Sequence, residues 1–259
     1  MWPFKKKVIN PKQVENKFTT VICIPGMWND RDEFILSIVS ATEGEYLAVG
    51  NVLMHAKKEK YYTIELCDRD ERMRNSFSYA GMTTGVTEPF LDTIAEHRHV
   101  AYISGITGNL EEAMHIAFAA GAVLKAGGLG VKIETGGKAF DKTDWLEKLQ
   151  HFEEFSLYQM FVLDSILKEN GEVYSCGMQN LGYKDTIIFG EEFQEAAALV
   201  KLFGIYQLVD KPTILHGQTF SADLESPRFR ITHEDEQPYI GDELFGNPLG
   251  MWRLNKITE

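Results

Sequence analysis

Five consecutive residues, Gly105, Ile106, Thr107, Gly108 and Asn109, join an apolar strand to the start of a helix and are the best-oriented anion site in the chain. There, Gly105, Thr107, Gly108 and Asn109 would present free backbone N–H groups, with the positive end of the helix dipole behind them. The segment lacks the Lys and Ser/Thr of a nucleotide-binding P-loop, and a plain capping turn with Asn109 as N-cap would use the same residues. Gly127, Gly128 and Gly130, with Gly136 and Gly137 beyond, follow a helix and precede a strand. That is the order of a helix C-cap and turn, not of a phosphate cradle.

His97 and His99 flank Arg98 just ahead of a strand, and both imidazoles would share a face if the strand began early. Two such groups can chelate a metal, but His55, His115, His151, His216 and His233 are scattered singly, so no metal or other cofactor is expected. The acidic run Glu234 to Glu236 lacks the alternating oxygens and central glycine of a calcium loop and reads as a solvated turn. A serine nucleophile would need a G-x-S-x-G elbow, which is missing; Ser104 before Gly105 comes nearest. Cys176 before Gly177 and His216 before Gly217 would make a thiol–imidazole pair only if the fold joined them. Cys176, with Cys23 and Cys67, makes three widely spaced cysteines in apolar segments, read as small buried hydrophobes in a reducing compartment. No catalytic residue is assigned.

The elements that would position these residues follow from periodicity. Residues 1–17 form a polar, basic arm, and the body begins near Phe18. Thr19 to Ile24 reads as a strand stopped by Pro25 and Gly26; Asp30 to Ala41 reads as a helix, capped by Asn29 or Asp30. Tyr46 to Met54 and Lys60 to Cys67 read as two strands, whereas Asp68 to Glu88 gives no assignable pattern. His99 to Ser104 is an apolar strand ended by Gly105 and Gly108. The following helix, Leu110 to Ala126, is apolar almost all round and is expected to pack on both sides. Gly130 to Glu134 returns as a strand, and Asp144 to Phe152 as a short helix around Trp145. A hairpin of Ser156 to Leu167 with Glu172 to Cys176 follows, then a strand Asp185 to Phe189, a helix Glu191 to Leu208 and a strand Phe229 to Thr232. Leu249 to Leu254 is expected to dock on the body. The fold expected is α+β: a mixed or antiparallel sheet covered by three main helices, arranged as tandem ferredoxin-like strand-helix-strand units. The halves are placed at 18–152 and 153–259.

Bulk properties narrow the function. The chain has 259 residues, 44% of them hydrophobic, enough for a substantial core. Its formal net charge of −12 repels a phosphate backbone and argues against nucleic-acid binding. Lys5 to Lys7 have the charge of a secretion signal, but no apolar stretch follows them. The longest apolar run, Ile116 to Leu124, is far short of the roughly 20 residues that span a bilayer. A cytoplasmic location without membrane association is expected.

One resemblance rests on Tyr174-Ser-Cys-Gly-Met178, Leu181, Gly182, Glu195 to Ala198, Gly217-Gln-Thr-Phe220 and Asn247-Pro-Leu-Gly-Met-Trp-Arg-Leu254. This pattern resembles the bacterial domain of unknown function numbered 4261. The segment His99 to Lys138, with Thr135-Gly-Gly-Lys138, is similar to the region preceding that domain in longer members. The resemblance implies a bacterial cytoplasmic protein and carries over no reaction and no catalytic residue. The leading expectation is a non-enzymatic protein-binding module, such as a toxin neutraliser or adaptor, whose acidic surface suits a basic protein partner. The alternative is an enzyme acting on a small anionic or acyl substrate at the Gly105 to Asn109 turn.

Overall fold

The computed structural model describes residues 18–235, 237 and 244–257. The expected arm at 1–17 and Glu236 of the acidic run lie outside the described residues. In chain order the elements are β1 (Phe18–Gly26), α1 (Arg31–Ala41), β2 (Tyr46–Val49), β3 (Val52–His55), β4 (Tyr61–Asp68), α2 (Met73–Ala80) and α3 (Glu88–Ala95). They continue with β5 (His99–Thr107), α4 (Leu110–Lys125), β6 (Gly130–Ile133), β7 (Lys138–Asp141), α5 (Lys142–Gln150) and α6 (Glu154–Phe161). The last are β8 (Leu163–Leu167), β9 (Val173–Cys176), a 3-10 turn (Met178–Leu181), β10 (Asp185–Ile188), α7 (Phe193–Val209), β11 (Thr219–Phe220), β12 (Phe229–Glu234) and β13 (Met251–Lys256).

The protein is α+β, with seven α-helices among the described residues. In place of one sheet there are two. The first is antiparallel throughout, in the order β2-β3-β4-β5-β1-β6-β7; the second is mixed, in the order β11-β12-β13-β10-β9-β8, with β10 and β13 parallel. The three longest helices are α1, α4 and α7, as expected, but α2, α3, α5 and α6 join them.

Alternation along β1 sends Ile22 and Ile24 to one face of the first sheet and Cys23 to the other. On the first face α1 and α4 pack over Ile22, Ile24, Ile103 and Ile133; on the second, α2 and α3 cover Cys23, Val100 and Ala139 with Phe77, Leu91 and Ile94. Helix α4 is buried on both sides, as its composition predicts, with Ala113, Ile116, Ala117, Ala120 and Val123 fully buried. Gly121 lets α5 approach, since a Cβ there would lie 2.5 Å from Leu149 Cδ1. Trp145 of α5 is fully buried and donates its indole N–H to Ala117 O at 3.3 Å.

Four expectations are corrected. Strand β1 runs through Pro25 and Gly26, in register with Val100 and His99, because proline removes only a donor and the Pro25 carbonyl still accepts Leu129 N–H. The single strand Tyr46 to Met54 is a tight hairpin, with Gly50 at φ +54° supplying the turn. The unassigned stretch holds α2 and the start of α3, whose N-cap is Thr87. Residues 154–161 are helical, not extended: Glu153 and Ser156 form a capping box, and five of the eight helical residues are buried. A largely apolar segment of that length reads equally as a buried strand.

The two halves meet at the buried 3-10 turn. Asn180, fully buried, accepts the hydroxyl hydrogens of Thr20 at 2.6 Å and Thr135 at 2.9 Å, and donates to Gly177 O at 2.9 Å. Beside it, buried Asp185 accepts from Ser175 Oγ at 2.9 Å and from Asn247 Nδ2 at 2.7 Å. Gly177, at φ +113°, has no room for a side chain: a Cβ would lie 2.1 Å from Phe161 O.

Candidate functional site

A hollow of about 420 Å3 opens where the α2 face of the first sheet meets the β8–β9 end of the second. Strand alternation builds its floor. Val131 and Ile133 of β6 are fully buried, so Lys132 and Glu134 point the opposite way and come together on the α2 side. Lys132 Nζ lies 2.9 Å from Glu134 Oε1 and also donates to Ser76 Oγ of α2. The two charged side chains are only 12% and 20% exposed, so water screens this pair weakly.

Around this floor stand Tyr79 of α2, Leu163 and Ile166 of β8, Tyr174 and Cys176 of β9, and Phe245. A second hollow shares Ser76, Tyr79, Lys132 and Glu134 and extends the first past Tyr102 to Asp70, Arg72 and Leu244. The two make one groove with apolar walls, a charged floor and Tyr79 exposed on its rim.

The titratable groups in and beneath the groove are held in their unreactive forms. Burial pushes the Cys23 thiol far above its ordinary range, and the nearby Glu134 carboxylate raises it further. Burial likewise raises the phenols of Tyr102 and Tyr174. At the open end Asp70 is pulled down to about 2 by hydrogen bonds from the Arg72 side chain and backbone N–H. The groove therefore offers neutral phenols and carboxylates with cationic partners. Such a lining can hold an apolar occupant and orient its polar atoms.

The residues singled out by sequence fall elsewhere. Gly105 and Thr107 lie inside β5, opposite Thr20 and Phe18, so the strand ends three residues later than expected. Gly105 serves close packing: a Cβ would meet the Tyr62 ring at 2.6 Å. Thr107 is buried with its hydroxyl 2.7 Å from that of Thr20. The Gly108 N–H donates to Asn180 O at 3.3 Å, and Asn109 caps α4 by accepting Glu112 N–H at 2.9 Å.

His97 is buried, with Nδ1 2.8 Å from Ile94 O and Nε2 accepting Asp70 N–H; His99 Nδ1 is 2.8 Å from Trp28 O. Each imidazole serves its own backbone group, and the described residues hold no cluster of three metal-ligating side chains. Cys176 and His216 are not brought together. Cys176 is in β9 and His216 precedes β11, four strand spacings apart at about 4.8 Å each. In the acidic run, Glu234 pairs with Arg253 at 2.9 Å and Asp235 with His233 at 2.8 Å, so both carboxylates already have cationic or imidazole partners.

Lys132 and Glu134 escaped the sequence reading, although they carry a usable signal: opposite charges two residues apart on one face of a strand whose other face is apolar. Ser76 and Tyr79 carried none. No helix among the described residues is long and apolar enough to cross a membrane. Compared with family models, curated proteins and solved structures, the chain matches none.

Proposed function

We propose that this protein is a binding module that takes an extended segment of a protein partner into the groove between its two sheets. The observation that carries the reading is the pairing of an apolar hollow of about 420 Å3 with an edge strand, β8, along its wall. Among the described residues β8 pairs only with β9, and an edge strand offers backbone groups at the spacing an extended peptide needs. Side chains at alternate positions of the peptide would enter between Leu163, Ile166 and Phe245, with the Lys132–Glu134 pair available to its polar groups. The formal net charge of −12 favours a partner with basic flanks, as complementary potential speeds encounter.

The resemblance to the bacterial domain numbered 4261 fits this reading. Of its residues, Gly182 packs against Gly108 and Gly177 against Phe161 where the two sheets meet, and Asn247 holds Asp185 beside them. A ferredoxin-like reading of the first half is supported by the order β4-β5-β1-β6, with α1 leading from β1 towards β4 and α4 joining β5 to β6. The second half carries one long helix and a parallel pair, β10 with β13, which a ferredoxin-like unit does not have.

Selection from a displayed peptide library tests the proposal. Selected peptides should carry apolar residues at alternate positions and lose at least about tenfold in affinity to Ile166→Arg and Tyr79→Ala, as loss of anchor residues does. Leu36→Arg, on exposed α1, should leave affinity unchanged. Binders indifferent to Ile166→Arg would refute the groove as the site.

A further inference from the structure

A second cleft, of about 480 Å3, lies on the opposite face of the first sheet, between the β2–β3 hairpin, the end of α1, α4 and α5. Its apolar wall is Met114 and Phe118 of α4 with Leu146 and Leu149 of α5. Phe118 is 37% exposed, large for an aromatic on a helix otherwise buried on both sides.

The polar lining divides into satisfied and available groups. His55 Nδ1 accepts Lys57 N–H at 3.1 Å, which places its proton on Nε2 and directs it to Glu45 Oε1, also at 3.1 Å. That pair is closed. His115 differs: its nearest ionic neighbour is Glu111 at 3.6 Å, and burial, then Lys60 and Lys58, hold its imidazole below the usual range. The imidazole is thus neutral near pH 7 and keeps a ring N–H to donate. Lys60 is engaged by Glu112 at 2.6 Å, whereas Lys58 and Lys125, both on the lining, have no ion-pair partner among the described residues.

We propose that this cleft is a binding site for a small amphipathic carboxylate. The hydrocarbon body lies against Met114, Phe118, Leu146 and Leu149, and the carboxylate is held by the field of Lys58 and by the His115 N–H. The positive surroundings that disfavour a second cation at His115 favour an anion there by the same Coulombic sign. A cleft of this size accommodates a chain of several carbons, and one anionic group with two acceptor oxygens matches the donors present.

Sodium octanoate is the probe, titrated into the full chain while the His115 ring resonances are followed by NMR and heat by calorimetry, with octanamide as the uncharged control. Saturable movement of the His115 resonances is expected, with octanamide at least about tenfold weaker. Lys58→Gln should weaken octanoate about fivefold or more, as removal of a charge partner does. Phe118→Asp should abolish binding, and Ile166→Arg in the other groove should leave it intact. Unmoved His115 resonances, equal binding of octanamide, or sensitivity to Ile166→Arg in place of Phe118→Asp would each overturn the proposal.

Discussion

Replacing Lys138 by Met should change how stability depends on pH in a calculable way. Lys138, on edge strand β7, donates from Nζ to Val162 O at 3.1 Å and to Gln159 O, both at the C-terminal end of α6. Burial lowers its ammonium to about 8, against the partial opposition of Asp164. The unfolded chain keeps this proton up to about pH 10.4. Between these values the unfolded state binds more protons, so raising the pH favours the folded state. The penalty of burying the charge is complete below pH 8, at about 3 kcal/mol, and fades as the pH climbs to the unfolded value. Between about pH 7.5 and 9.5 this one group should add about 2 kcal/mol to wild-type stability. Lys138→Met has no such proton. Urea unfolding of both proteins across that range, followed by tryptophan fluorescence, isolates the effect, since every other titrating group is common to both. The stability difference between them should shift by about 2 kcal/mol in favour of wild type as pH rises. A difference constant to within about 0.5 kcal/mol would refute the assignment of a desolvated ammonium at this site.

Other substitutions probe the junction and the thiols. Asn180→Ala strands the buried Thr135 hydroxyl and takes one of two partners from the Thr20 hydroxyl and from the Gly177 carbonyl, and should cost about 2 kcal/mol in urea unfolding. Gly177→Ala should prevent recovery of folded protein, because its Cβ would strike Phe161 O; Gly190→Ala, at φ +87° with open space around it, should cost only about 1 kcal/mol. A chromogenic disulfide at about pH 8 should label no more than the half-buried Cys67 in the native protein and all three thiols in urea, since Cys23 and Cys176 are buried. Rapid native labelling of Cys23 would contradict its place beneath α2.

Much of the fold is legible in the sequence wherever local chemistry and tertiary demand agree. Asp30 and Asn109 cap α1 and α4, and Gly127 at φ +113° follows the end of α4, because each supplies what a helix end lacks whatever packs around it. The failures share a cause: a residue with a strong local meaning was used for a distant one. Gly105 reads as a strand terminator, yet its missing side chain makes room for Tyr62, more than forty positions upstream. Pro25 reads as a stop, yet β5 carries the ladder past it. Residues 154–161 carry Phe155, Leu157, Tyr158, Met160 and Phe161 around the whole circumference because helix α6 is enclosed, and enclosure erases the periodicity that would identify it. The groove was hidden for a different reason. Its floor comes from β6 and α2 and its wall from β8 and β9, so no window along the chain contains the site.

The shared core has a mechanical consequence for any attempt to divide the chain. Leu157, Tyr158, Phe161, Met178, Leu181 and Leu208 belong to the same apolar cluster as Ile22, Ile116 and Trp145. Scission after residue 152 would leave each fragment with a raw hydrophobic wound and half of the Asn180 lattice. Heating the intact protein should melt both sheets in one calorimetric step, and fragments expressed separately should recover order only when mixed.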